Sequence, residues 1–368
     1  MKIAVLHFGR RGAGPAFSLQ MAIALKKLGH TVFYYASSEV ENRMYVEQEG
    51  FQMRFFKTYN STIAYVKSIV IKYNINKVIK SIMIDSPDVV YSPMNDLWAP
   101  FIFPRLKIFL RVKTIHDVGI HEGNNSLFNK WWNKSNFKNA DKFVILSKKF
   151  IPALEERGIM QENIAVIPHA GFDYYLKLGK HNECNNNRKR LLFFGRIDKY
   201  KGLDLLLKAM PKVIASYPDV ILYIVGNGDL NPYKGLIMDI KDNVEVHNRW
   251  IKDDEVSDFV ENSDIVVLPY THATQSGVIP LAYAFSKPVI ATCVGCLDEQ
   301  VIDGQTGKLV KNVDSCCFAD AIIEMLSDMA RVLKMGQDAH DYMLNNLTWN
   351  SSAKRLIDFI SNQTNLLS

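Results

Sequence analysis

Phe193-Phe194-Gly195-Arg196-Ile197-Asp198-Lys199-Tyr200-Lys201-Gly202-Leu203 reads as an apolar strand running into a glycine, followed by an arginine and a lysine five positions apart. Glycine lets the backbone turn where a Cβ would clash. The amphipathic run from Leu203 to Met210 then starts a helix, whose free N–H groups and positive dipole end favour an anion. Arg196 can fork two phosphate oxygens, and Lys201 can add a mobile point charge to the same group. The stretch predicts a strand–loop–helix unit that holds a diphosphate, with an exposed basic loop as the plain alternative.

Outward from this stretch, strand and helix patterns alternate, which argues for parallel α/β layers. In the first half, Ile3 to Phe8 reads as a buried strand, Phe17 to Leu28 as a helix closed by Gly29-His30, and Thr31 to Ala36 as a second strand. Val89 to Tyr91, Lys113 to His116 and Lys142 to Leu146 add three more. The second half restarts the scheme with Arg190–Phe194, Val220–Val225, Val244–His247, Ile265–Leu268 and Val289–Ala291. Two Rossmann-like halves are expected, joined by the asparagine-rich stretch from Lys180 to Lys189.

The size, 368 residues, suits two cores, and 48% apolar with 22% charged residues describes a globular chain. A formal charge of +6 without a basic stripe argues against a nucleic-acid partner, although it would suit phosphate-bearing ligands or an anionic bilayer surface. Five cysteines form no even disulfide framework, and Cys293-Val-Gly-Cys296 lacks a second CxxC or CxxH, so no metal is expected. The N-terminal run from Met1 to His7 is too short for a signal peptide, and charges and prolines interrupt the apolar stretch Leu97 to Val112. The expected address is cytoplasmic.

Ligands in open α/β sheets bind beyond the carboxyl ends of strands, and the chemistry-bearing residues cluster there. Gly9 to Pro15 follows the first strand. Its spacing is not G-x-G-x-x-G, and Tyr35-Ala36-Ser37-Ser38 stands where a ribose-binding acid would be expected. A nicotinamide-dependent oxidoreductase is therefore disfavoured. Gly12, Ala13 and Gly14 read as a substrate-approach loop or a plain turn. Thr114-Ile115-His116-Asp117 places an imidazole and a carboxylate directly after a strand, with His121 and Glu122 following. In the second half, Gly226 closes another strand. The loop Thr271 to Val278 offers Thr274 and Gln275 to a sugar and the N–H groups of Ser276, Gly277 and Val278 to a phosphate. Glu299 reads as a helix cap or a ligand contact.

Taken in order, Gly195-Arg196…Lys201-Gly202, Val225-Gly226-Asn227-Gly228, the polar loop Pro269 to Gly277, Lys287-Pro288-Val289-Ile290-Ala291-Thr292 and Asp303-Gly304-Gln305-Thr306-Gly307-Lys308-Leu309-Val310 resemble the retaining nucleotide-sugar glycosyltransferases of family 4. Thr114 to Asp117, Val144 to Ser147 and Val166 to Asp173 look like family elements of the first half. The resemblance implies a GT-B fold, two Rossmann-like domains facing across a cleft. It implies an acceptor-side domain over 1–175, a nucleotide-sugar domain over 176–345, and a last helix within 346–368 that packs back on the first domain. It further implies that Arg196 and Lys201 bind the donor diphosphate without a metal, that Gly195, Gly226, Thr274 to Val278 and Glu299 surround the donor, and that His116 lies near the transferred sugar. Gly12, Ala13, Gly14 and His121 fall on the acceptor side.

One departure matters. Two glutamates eight positions apart are usual around Gly277, and this chain has Thr274 and Ala282 there. A glutamate nucleophile is thus absent, which leaves a front-face attack assisted by the leaving phosphate as the implied route to retention. The implied activity is transfer of a sugar to a glycan or lipid-linked acceptor in surface-polysaccharide assembly, with the nucleoside-diphosphate sugar as co-substrate and no other cofactor. A non-catalytic nucleotide-sugar-binding relative is the competing class. Peripheral contact with the inner face of the plasma membrane is read from Asn129 to Lys138, where aromatics alternate with lysines, and from Leu97 to Lys113, with a partly buried basic helix as the equal alternative.

Overall fold

A computed structural model describes residues 1–41, 43–118, 134–135, 137–179 and 188–361. They form two compact units. Met1–Pro168 and the final helix Trp349–Ser361 make the first, and His169–Thr348 makes the second.

In the first unit, β1 (Lys2–His7), β2 (Thr31–Ser37), β3 (Gln52–Phe56), β4 (Val89–Ser92), β5 (Leu110–Ile115), β6 (Lys142–Ile145) and β7 (Ile164–Val166) pair in the order β3-β2-β1-β4-β5-β6-β7, all parallel. The second unit orders β8 (Arg190–Phe194), β9 (Ile221–Gly226), β10 (Val244–Asn248), β11 (Ile265–Leu268), β12 (Val289–Thr292) and β13 (Gly307–Val310) as β10-β9-β8-β11-β12-β13. Each sheet begins at its centre, runs outward one way for two strands, and returns to the other side of the first strand. The direction reverses between β1 and β4, and again between β8 and β11. Crevices at such reversals are where doubly wound sheets bind ligands.

Central strands of parallel sheets are covered on both faces and read as unbroken apolar runs, as in β8 and β11. The Leu203–Ser216 helix covers β8 by burying Leu203, Leu206, Leu207, Met210 and Val213 at helical spacing, and the Ser315–Leu326 helix packs against it.

Two expectations change. The first boundary falls at Pro168–His169 rather than after 175, because Phe172, Tyr174 and Tyr175 are buried in the second unit, where Ser257 Oγ donates to the Tyr175 carbonyl. Much of the apolar stretch Leu97 to Lys113 is core: Trp98, Ile102, Phe103 and Leu106 are fully buried in the first unit. These four cannot meet a membrane, whereas Ile108, 76% exposed, faces outward. The proposed stretch Asn129 to Lys138 and the linker around Lys180 to Lys189 lie largely outside the described residues.

The final helix packs on the first unit. Trp349 meets the Phe17 ring edge-on at 4.8 Å, and Phe17 meets the His116 ring in the same manner at 5.0 Å. Trp349→Ala removes the outermost ring of this stack, so it is expected to cost about 3–5 kcal/mol and to lower Tm by on the order of 10 °C, measured by calorimetry.

Candidate functional site

At the carboxyl edge of the second sheet the backbone is packed without room for side chains. Gly195 N donates to the Val225 carbonyl at 2.9 Å, and a Cβ on Gly226 (φ 149°) would lie 1.8 Å from the Gly195 carbonyl oxygen. Gly202 (φ 67°) opens the Leu203–Ser216 helix against the end of β11, where a Cβ would fall 1.8 Å from the Pro269 carbonyl oxygen. These contacts bring the Gly195–Gly202 loop beside Tyr270.

Lys201 is held there. Its Nζ donates to Tyr270 Oη at 2.7 Å and stands 3.8 Å from the centre of that ring. Tyr270 Oη is 3.2 Å from Ser276 Oγ. Arg196 projects outward, its side chain 73% exposed, with Nη2 3.0 Å from Asp198 Oδ2. One cation is thus positioned by aromatic and hydroxyl groups. The other is free to swing onto a ligand, at the small cost of an exposed ion pair.

The Tyr270–Val278 loop is fixed by Gln300, a residue the sequence reading did not single out. Ser276 N donates to Gln300 Oε1 at 2.8 Å and Gln300 Nε2 donates to the Ser276 carbonyl at 3.0 Å. Val278 N donates to Ser276 Oγ at 3.2 Å. Two of the N–H groups expected to cradle a phosphate, those of Ser276 and Val278, are therefore engaged within the loop. Gly277 is approached by His169 and Phe172, with His169 Nε2 3.4 Å from where a Cβ would be. Gln275 Oε1 is buried and has no hydrogen-bond partner among the described residues. Glu299 is exposed on the short helix Leu297–Gln300, whose Gln300 grips the loop. Ala282 is fully buried in the helix Val278–Ala284, so that position presents no polar group.

The reversal between β1 and β4 in the first unit is built differently. Its groups are buried. Asp96 accepts from the backbone N–H groups of Phe8 and Trp98, and burial pushes its carboxyl up to about 6. The His7 ring sits between Gly9 and Gly14, where Cβ atoms would lie 2.4 and 2.7 Å from its Nε2. Those glycines leave room for the imidazole. Neither His7 nitrogen has a hydrogen-bond partner among the described residues, Nδ1 standing 3.9 Å from Asp96 Oδ2, and burial with the neighbouring His116 lowers its pKa to about 3. Gly12 (φ 81°) precedes Ala13, the first residue of the helix Ala13–Lys27. His116 is buried just beyond β5. Its Nε2 donates to the Pro93 carbonyl at 2.8 Å, and burial lowers its pKa. His121 lies outside the described residues.

The structure therefore gathers Gly195, Arg196, Lys201, Gly226 and the Thr274–Val278 loop at one sheet edge. Residues 188–328, which hold this edge, match the family described as Glycosyl transferases group 1. The parallel-sheet architecture of both units is that of GT-B glycosyltransferases: Anabaena HepE in complex with UDP-glucose superposes with a TM-score of 0.74 at 17% identity, covering 98% of this chain and 100% of that one. Among sequence relatives, the D-inositol 3-phosphate glycosyltransferase of Corynebacterium aurimucosum is 28% identical, over 59% of this chain and 56% of its own length. The GDP-mannose-dependent alpha-(1-6)-phosphatidylinositol monomannoside mannosyltransferase of Mycolicibacterium smegmatis is 27% identical, over 48% of each. The chain spans about half the length of these relatives.

Gln300→Leu leaves the Ser276 N–H and carbonyl without their partner, so the variant is expected to lose about 1–3 kcal/mol, read as a lower urea midpoint at unchanged m-value. The buried histidines give a pH dependence of known sign. As pH falls below the ordinary 6.5, the unfolded chain protonates His7 and the folded chain does not until about 3, so stability declines across that window. His116 acts in the same direction. Asp96 opposes both between about 6 and the ordinary 3.8, since there the folded state takes the proton first. Tm is expected to fall from about pH 7 to pH 5, and to fall less steeply in His7→Gln.

Proposed function

We propose that the protein is a hexosyltransferase that moves a sugar from a nucleoside-diphosphate donor to a glycan or lipid-linked acceptor, with retention at the anomeric carbon. The observation that supports this reading best is the pair of cations, exposed Arg196 and tyrosine-held Lys201, at the strand reversal of the segment that matches the group 1 family. In this reading both cations bind the donor diphosphate and stabilise the charge that grows on it as it leaves. That role falls elsewhere to a metal ion, and no resident metal or other cofactor is assigned here.

The acceptor hydroxyl oxygen bonds to the anomeric carbon as the bond from that carbon to the diphosphate oxygen breaks. The hydroxyl proton passes to the departing phosphate on the same face, which preserves configuration without a protein nucleophile. Thr274, Gln275 and Ser276 hold the sugar through neutral hydrogen bonds, and the unpartnered Gln275 carbonyl oxygen supports that assignment. His116 serves the transferred sugar as a neutral imidazole. Glu299, Gly226 and Gly277 shape the donor site, and Gly12 to Gly14 with His121 the acceptor side. We assign the activity to surface-polysaccharide assembly at the inner face of the plasma membrane. No described helix is long and apolar enough to cross a membrane.

A thermal-shift screen against UDP-, GDP- and ADP-sugars tests the donor assignment: at least one should raise Tm, and no shift with any of them would overturn it. Arg196→Ala and Lys201→Ala are each expected to weaken donor binding by roughly tenfold to a hundredfold, the worth of a charge-assisted hydrogen bond. His116→Ala should mainly lower turnover. Release of nucleoside diphosphate without acceptor, lost in the two cation variants, separates the enzyme from a protein that only binds the donor.

A further inference from the structure

The first unit turns apolar side chains outward on two successive helices. In the helix Thr62–Ile71, Tyr65 is buried, whereas Ile63, Val66 and Val70 recur at i, i+3 and i+7 on the outside, Ile63 at 81% and Val70 at 72% exposure. Water-facing helices place polar groups there. This one has a single charged residue, Lys67. Exposed Ile71 and Tyr73 continue the apolar surface across Lys72, a left-handed residue (φ 56°) that ends one helix and begins the next.

The helix Tyr73–Asp85 buries Ile75, Val78 and Ile82. Tyr73, Lys77, Lys80 and Ile84 recur at i, i+4, i+7 and i+11 on the other side, with Ile84 72% exposed and the Lys77 ammonium 4.4 Å from the centre of the Tyr73 ring. Arg105 donates to Asn76 Oδ1 at 2.7 Å, which ties to this helix the turn bearing Lys107 and Ile108, the latter 76% exposed.

Charge decides what covers this surface. From Lys57 to Ile84 the chain has five lysines and no acidic residue. A second copy would oppose the patch to itself and set lysines against lysines. An anionic bilayer supplies both what the apolar side chains need and what the ammonium groups need: acyl carbon below and phosphate above, with the lysine stems lying along the boundary.

We propose that the outward face of the helices Thr62–Ile71 and Tyr73–Asp85 docks the protein onto an anionic membrane surface. A pocket of about 540 Å³ opens beside this face. Thr62 and Val66 belong to both, and Phe8, Arg10, Arg11 and Tyr59 continue the lining. The purpose of docking rests on the transferase reading: it places the acceptor-side loop at the surface where a lipid-linked acceptor is presented. The docking itself is independent of that reading.

The test is co-flotation of the full chain with phosphatidylcholine vesicles with and without phosphatidylglycerol. Binding is expected only with the anionic lipid, and Lys67→Gln, Lys77→Gln and Lys80→Gln should each weaken it by up to about fivefold, the equivalent of roughly 1 kcal/mol per lysine at the surface. Val70→Glu with Ile71→Glu should abolish flotation while leaving the melting curve and the nucleotide-sugar shift intact. Equal flotation of wild type and this double variant would overturn the proposal. So would a wild-type dimer in light scattering that the double variant converts to monomer without any vesicle binding. Loss of the nucleotide-sugar shift with flotation retained would instead overturn only the transferase reading.

Discussion

The candidate donor site depends on main chain packed against main chain. The Gly226 Cα lies against the Gly195 carbonyl, Gly202 against the Pro269 carbonyl, and Gly295 against Ala273, where a Cβ would stand 1.6 Å from the carbonyl oxygen. The ends of four strands, β8, β9, β11 and β12, are thereby held at the closest separation the backbone permits. Any side chain would push them apart by more than an ångström, and Gly226, Gly202 and Gly295, at φ 149°, 67° and 58°, occupy conformations that side chains rarely adopt. Lys201 reaches Tyr270 only because this packing closes the distance. The cation, the tyrosine and the serine beyond it are consequences of the glycines rather than independent features.

The two reversals solve the problem of placing polar groups at a sheet edge in opposite ways. In the second unit, charge is kept in or near water: Arg196 is exposed, and Lys201 spreads its interactions over two tyrosine rings and a hydroxyl. In the first unit the polar groups are buried and the two histidines stay neutral, because an imidazole deep among apolar side chains resists protonation. A neutral His116, fixed through Nε2 on a carbonyl, can orient a hydroxyl, but it cannot balance a phosphate. The cations can do that and little else.

What the sequence revealed follows from burial. β11 is apolar throughout and β8 is apolar after Arg190, so both were readable as runs, and the cation spacing after β8 pointed to the sheet edge at which Arg196 and Lys201 stand. The strands that escaped, β3, β7 and β13, are all sheet edges: β3 and β13 interrupt their apolar residues with Arg54 and Lys308, and β7 is only 3 residues long. Gln300 escaped for another reason: its partners are backbone atoms of Ser276, twenty-four positions earlier, and an amide beside Glu299 gives no signal of its own. The glycines of the first loop were visible, but the ring they make room for was not, since nothing in the spacing says that His7 turns back into the loop that follows it. The apolar stretch around Trp98 misled because composition cannot distinguish a core segment from a surface that meets lipid.

The final helix gives the molecule an order in time. The second unit is continuous in sequence and is complete once Thr348 has been made, whereas the first lacks the support of Trp349 and the helix through Ser361 until synthesis has passed them. A sheet begun at residue 2 therefore waits through some three hundred and fifty residues before Phe17, and behind it His116, acquires its outer cover. Units of this size fold as they emerge from the ribosome. The cation-bearing unit can consequently be finished while the histidine-bearing one is still open, which makes the helix Trp349–Ser361 the step that covers Phe17 and, behind it, His116.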